Sequence, residues 1–248
     1  MDTDEGEASE LGTLEHWESV YATELANLQS TGDEGEVWFG IETMQTMLSW
    51  TLSLLEARHG SGVHALRLLD IGTGNGAMLV ALYKKGFHNI TGTDYSRASL
   101  VLAAAVLAKN GCTCALLKED DMTNSKLLAA YDVLLDKGTY DAVGLSEDGE
   151  SAQKAYRQTA ASLLPPAGLL IITSCNSTLA ELRQDFEGYQ SSVESEQAHD
   201  DSLQVQPCFE YLDHIRTYPT FNFGGVEGSH HCTVAFVCKG NSALLPLS

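Results

Sequence analysis

The residues best suited to chemistry in this chain are a series of aspartates and a cluster of glycines. In LLDIGTGNGA (residues 68–77) an apolar run ends in Asp70, and Gly72, Gly74 and Gly76 follow at alternate positions. Glycines at such spacing let backbone approach a nucleotide-like ligand closely. Because Ala77 can stand for the last glycine, the run also satisfies G-x-G-x-x-G/A, the dinucleotide fingerprint. The glycines alone therefore leave the ligand open. Asp70, Asp94, the Asp120–Asp121 pair and Asp136 each end an apolar run that reads as a strand, so the carboxylates bear on the choice.

A dinucleotide would bring pyrophosphate to the first loop, where Asp70 opposes it. S-adenosylmethionine carries a sulfonium and an ammonium but no phosphate, and both cations favour nearby carboxylates. Asp94 lies 18 positions beyond Gly76, where an acidic residue reaches ribose hydroxyls in either cofactor. Asp120 or Asp121 is placed to accept from an adenine amino group. The pattern fits adenosylmethionine better than NAD, and an NAD-dependent oxidoreductase stays open as the alternative.

The elements that must carry these residues alternate. LRLLDI (66–71) is a continuous apolar run, as in a strand covered on both faces. GAMLVALYKKG (76–86) reads as its helix, NITGTD (89–94) as the next strand and SRASLVLAAAVLAKNG (96–111) as the next helix, with Ser96 as cap. CTCALLKED (112–120), YDVLLDKG (131–138) and LLIITSC (169–175) are further strands, and 153–164 and 178–186 are helical. Such alternation predicts an α/β fold, a mostly parallel sheet with helices on both faces. FEYLDHIRTY and HCTVAFVCKG, joined by PTFNFGGVEGSH with no helix between them, predict an antiparallel closure.

Before the alternation, Leu14, Trp17, Tyr21, Leu25 and Leu28 recur at helical spacing with Thr13 as cap, and 41–58 forms a second helical pattern. Residues 1–10 are acidic and polar, and disorder is expected there. A single domain is expected over 11–240, with 11–62 as N-terminal helices, 187–206 as a mobile acidic insertion and 241–248 as a tail.

A net charge of −20 repels phosphate backbones and anionic lipid, which argues against nucleic acid or membrane partners and favours a basic one. The N-terminus is acidic without an apolar core, so it is not read as a secretory signal. The six cysteines form no C-x-x-C pair and no zinc spacing, which predicts free thiols in a reducing compartment, a cytoplasmic setting and no metal.

LDIGTGNG, ITGTDYS, KEDD, DKGTYDA and ITSCN occur in the order seen in seven-stranded class I methyltransferases. With LGTLEHWESVY, GEVWFG and PTFNFGG, the chain resembles the protein-lysine methyltransferases that modify translation elongation factor 1-alpha, from about Leu11 to Gly240. The resemblance implies a Rossmann-like seven-stranded sheet, S-adenosylmethionine as cofactor and elongation factor 1-alpha as protein substrate, with the enzyme acting as a monomer. It implies that Asp70, Gly72 and Gly74 serve the methionine side, Asp94 the ribose, and Asp120 with Asp121 the adenine, with Tyr95 also at the cofactor, while Trp38 packs over cofactor or target. Asp136 to Tyr140 matches the segment that meets the acceptor. DKGTY stands where base-modifying enzymes carry an Asn/Asp-Pro-Pro-aromatic tetrad, which counts against a nucleobase substrate.

The chemistry then expected is in-line displacement by a neutral amine. A lysine with pKa of about 10.4 costs about 4.6 kcal/mol to deprotonate at pH 7, and burial in an aromatic slot lowers that cost. Trp38, Phe39, Tyr140, Phe221 and Phe223 are candidate walls, with Asp136 orienting the ammonium and Tyr140 bonding the amine. A non-catalytic module that keeps this fold to bind a translation partner is the remaining alternative.

Overall fold

The structure is a computed structural model that describes residues 9–128, 130–189, 208–216, 218, 220–223, 226–229 and 231–239. Two helices precede the sheet, α1 (Leu14–Thr31) and α2 (Gly40–His59). The Thr13 hydroxyl accepts from the His16 amide at 3.3 Å, so the cap expected at the start of α1 forms. Ser9 and Glu10, expected to be disordered, instead open a short 3-10 turn at Glu10–Gly12 that leads into α1; residues 1–8 lie outside the described residues.

The alternating segments then give β1 (Leu68–Ile71), α3 (Ala77–Lys84), β2 (Ile90–Asp94), α4 (Arg97–Lys109), β3 (Leu116–Glu119) and β4 (Val133–Lys137). They continue as α5 (Thr139–Gly144), α6 (Gly149–Leu163), β5 (Leu169–Ser174) and α7 (Leu179–Glu187). The chain ends in β6 (Phe209–His214), β7 (Thr220–Phe223), β8 (Val226–Ser229) and β9 (Cys232–Cys238).

Seven strands form one sheet in the order β3-β2-β1-β4-β5-β9-β6, and β9 runs antiparallel to both of its neighbours. Successive strand residues point to opposite faces, and both faces are apolar. Leu68, Val133, Leu135, Leu169 and Ile171 join the core beneath α2, α3 and α4. Leu69, Ile71, Leu134, Leu170 and Ile172 join a second core with Tyr156, Leu182 and Phe186 of α6 and α7. This double burial is why the strands read as unbroken apolar runs.

Three expectations change. β3 starts at Leu116 rather than at residue 112, and as the edge strand it is only partly covered. The short helix α5 follows β4 directly, inside a segment read only as a motif. In the connection between β6 and β9, β7 and β8 pair with each other as a separate two-stranded sheet. Residues 190–207, most of the expected acidic insertion, and the tail 241–248 lie outside the described residues.

Strand order reverses between β1 and β4, the position where an open α/β sheet forms a ligand crevice beyond its C-terminal edge. The glycine loop leaves β1 at that point. The α1 helix is tied down nearby, because the Glu18 carboxylate accepts from the Arg97 and Ala98 amides at 2.6 and 3.2 Å, at the start of α4.

Candidate active site

Gly72, Gly74 and Gly76 adopt φ values of +62°, +55° and +77°, a region closed to most side chains. Their turn is fastened on both flanks. The Gly74 amide donates to Asp94 Oδ2 at 3.0 Å, and the Ser99 hydroxyl donates to the Gly74 carbonyl at 2.9 Å. On the other side the Thr139 hydroxyl donates to the Ile71 carbonyl at 2.9 Å, and a Cβ on Gly72 would collide with that hydroxyl.

The aspartates differ in what they meet. Asp94 accepts from the Ser96 amide at 3.0 Å as well as from Gly74, and burial raises its pKa. Asp120 Oδ1 accepts from the Lys126 amide at 2.7 Å, whereas its Oδ2 is buried with no partner, as is Thr93 Oγ1. Asp121 accepts from both the amide and the hydroxyl of Thr123. Asp70 accepts from the Thr73 hydroxyl at 2.7 Å, and burial pushes its carboxyl up to about 6.

A cavity of about 490 Å³ opens at this edge of the sheet, within the range of small-ligand sites. Trp38, Gly72, Gly74, Asp94, Tyr95, Asp120 and Asp121, all expected in the site, line it together. The sequence reading assigned Trp17 and Tyr21 only to a helix face, yet they line the cavity too, with Thr93, Met122 and Lys137. Their spacing of four on α1 was the available signal. Trp17 stacks on Tyr21 at 5.8 Å and meets the edge of Trp38 at 5.2 Å, so an aromatic wall runs along one side.

Asp70, Asp136 and Tyr140 are not among the lining residues. Asp136 is fully buried beneath the site, where it accepts from the Thr139 and Tyr140 amides and, at 2.6 Å, from the Tyr156 hydroxyl. It caps α5. Burial pushes its carboxyl up to about 7, against the pull of the Tyr156 hydroxyl. Tyr140 is fully buried against Tyr156 and Phe186, and its hydroxyl donates to Asp185 at 2.9 Å. Asp136, expected to orient the ammonium, and Tyr140, expected to bond the amine, both turn from the cavity into the second core, toward Tyr156 and Asp185 respectively. Phe39 sits half-buried beside Trp38. The side chains of Phe221 and Phe223, the other proposed walls, lie outside the described residues.

A family profile described as a methyltransferase domain matches residues 63–224. EEF1A lysine methyltransferase 2 of Mus musculus is 40% identical over 237 residues, covering 94% of this chain and 86% of that protein. Protein-lysine N-methyltransferase EFM4 of Saccharomyces cerevisiae is 32% identical over 238 residues, covering 92% of this chain and 95% of that protein. This chain belongs to the protein-lysine methyltransferase family. The N-methyltransferase NodS of Bradyrhizobium japonicum, solved with S-adenosyl-l-homocysteine, superposes with a TM-score of 0.55 at 13% identity over 90% of this chain and 98% of that one. Magnesium protoporphyrin IX methyltransferase of Synechocystis gives 0.54 at 15% identity over 88% and 96%. At such identities these two establish the fold, the class I methyltransferase sheet.

Two predictions follow from the buried side chains of the methyltransferase. Tyr140→Phe lowers the unfolding free energy by about 1 kcal/mol through its lost hydrogen bonds and leaves turnover near wild type, read by urea titration beside a methyl-transfer assay. The folded-state pKa of Asp136 lies above its unfolded value, so the carboxyl ionises more easily in the unfolded chain. Its contribution to stability is therefore full at low pH and is lost as pH rises from about 4 through about 7. Urea midpoints measured across that range should fall with rising pH, with a shallower slope in Asp136→Asn.

Proposed function

We propose that this methyltransferase transfers a methyl group from S-adenosylmethionine to a lysine of translation elongation factor 1-alpha, as a monomer in the cytoplasm. The observation that carries the substrate is the end-to-end identity with enzymes named for it, 40% over 94% of this chain in the mouse protein. Among the described residues no helix is long and apolar enough to cross a membrane. The net charge of −20 suits a basic protein substrate better than a nucleic acid.

The residues present fit the cofactor. Asp120 Oδ2 and Thr93 Oγ1 are buried polar atoms without a partner at the cavity, a costly arrangement unless a ligand satisfies them. In this reading the Gly72–Gly74 backbone holds the methionine end, Asp94 and Tyr95 face the ribose, and Asp120 and Asp121 face the adenine. Asp94 already accepts two amides, but each carboxylate oxygen keeps a second lone pair for a hydroxyl. Asp70 acts from below, through Thr73 and its negative charge. When bound, the cofactor supplies an activated methyl group.

The chain's own task is alignment and desolvation of the amine. Trp38, which lines the cavity with Phe39 packed beside it, would exclude water from the incoming lysine and so favour its neutral form. Asp136 is buried beneath the site, so no carboxylate is assigned as a base and the proton leaves to solvent. An oxidoreductase reading would set pyrophosphate against Asp70, and the relatives described above are named as methyltransferases.

The test is tritiated methyl transfer into a lysate lacking this enzyme, followed by mass spectrometry of the labelled band. Label on a lysine of elongation factor 1-alpha is expected. Tight NADH binding without binding of S-adenosylhomocysteine would overturn the reading, and cofactor binding without any transfer would favour a non-catalytic module. Burial pushes the Asp70 carboxyl up to about 6, and only its ionised form attracts the ammonium that S-adenosylhomocysteine shares with the methyl donor, so affinity for it should increase as pH passes upward through that value. Calorimetry of Asp70→Asn should lack this increase and show binding about ten-fold weaker at neutral pH, the equivalent of one pKa unit of coupling.

A further inference from the structure

Phe39 holds a backbone φ of +67°, in the left-handed region that a bulky side chain enters only at a cost. It stands at the N-cap of α2 and makes no side-chain capping hydrogen bond there. The Gly40 amide closes the turn locally by donating to the Val37 carbonyl at 2.7 Å, and the Phe39 ring meets His231 at 5.0 Å. A further tie comes from the far end of β4. Lys137 Nζ donates to the Trp38 carbonyl at 2.8 Å across 99 positions of sequence, and the same ammonium lies 5.9 Å from the Phe39 ring centroid.

The residue beside it completes the fit. Gly138 has φ +93°, and a Cβ there would lie 2.7 Å from Trp38 Cδ1 and 2.9 Å from Phe39 Cζ. Both rings thus rest on bare backbone. Trp38 is 37% exposed, meets Trp17 edge-on, and lines the cavity together with Lys137 and Gly138. One strained turn of the N-terminal segment is accordingly seated on the loop after β4, beside the cavity.

We propose that Lys137 is a positioning residue that clasps the Trp38 carbonyl and thereby holds the Trp38–Phe39 turn closed over the cofactor cavity. The inference rests on the reading that S-adenosylmethionine occupies this cavity. Asp70 and Asp136 both act on Lys137 to keep its charge, against a burial that lowers its pKa. A cation donating to a carbonyl makes a stronger bond than a neutral donor. Retention of the cofactor, rather than the chemical step, is what the clasp controls.

The experiment compares wild type, Lys137→Met and Lys137→Arg by amide hydrogen exchange without ligand and by calorimetry with S-adenosylhomocysteine. Lys137→Met keeps the apolar stem and loses the donor. Exchange over residues 36–41 should accelerate by about ten-fold, and the dissociation constant should rise by a similar factor. kcat at saturating cofactor should change less than KM for cofactor, and Lys137→Arg should restore much of both effects. In a Phe39→Gly background, where the strain is absent, the added effect of Lys137→Met should shrink, a coupling that general loss of stability would not produce. Should Lys137→Met fail to fold, Lys137→Gln, whose amide is too short to reach, replaces it throughout. Unchanged exchange over 36–41 overturns the clasp, and faster exchange with unchanged affinity overturns its control of retention. Wild type that binds no S-adenosylhomocysteine would refute the cofactor reading, and the exchange comparison would still judge the clasp.

Discussion

Negative charge held out of water at the edge of a parallel sheet is the constraint on which this molecule turns. Asp70, Asp94 and Asp136 end three adjacent strands and are buried, and burial raises the pKa of each. Backbone amides, hydroxyls and Lys137 offset part of that cost, and the glycine loop brings the Gly74 amide to Asp94 and the Thr73 hydroxyl to Asp70. A ligand bearing positive charge, as proposed above, would relieve the remainder, whereas a pyrophosphate would be repelled.

The N-terminal region belongs to the site and is not an appendage to it. The family profile begins at residue 63, yet Trp17, Tyr21 and Trp38 line the cavity. Glu18 binds the first amides of α4, and the Trp17 indole donates to the Leu11 carbonyl at 2.8 Å. Gly12 lies so close to the backbone of Leu145 and Ser146 that no side chain fits between them. The first turn, α1 and the segment through Trp38 thus wall the crevice that the sheet alone would leave open, while α2 packs against the core. The similarity to the mouse relative, which extends over 94% of the chain, covers this region as well.

Much of the fold was legible because strand and helix periods are set by burial on both faces of the sheet. β1, β2, β4 and β5 stand within two residues of the runs that predicted them, and the Thr13 and Ser96 caps form as their side chains require. The edge strand β3 was over-extended because apolar composition does not reveal where pairing stops. In the site, residues at strand ends were readable because topology alone brings them together. The inward turn of Asp136 and Tyr140 was not legible, because a motif gives spacing but not which way a side chain turns after the strand; the onset of α5 brings one to its first amides and the other into the core. Trp17, Tyr21 and Lys137 were undervalued because their partners are distant in sequence.

The hydrogen bond from Thr139 to the Ile71 carbonyl bears on how ligands come and go. It splices the loop after β1 to the loop after β4, across the reversal in strand order, with Gly72 leaving no room between them. The two loops are thereby joined into one floor. The opposite wall, from the first turn to Trp38, is held by side-chain contacts and joins no strand of the sheet, so it is the part of the cavity that can yield without breaking strand pairing.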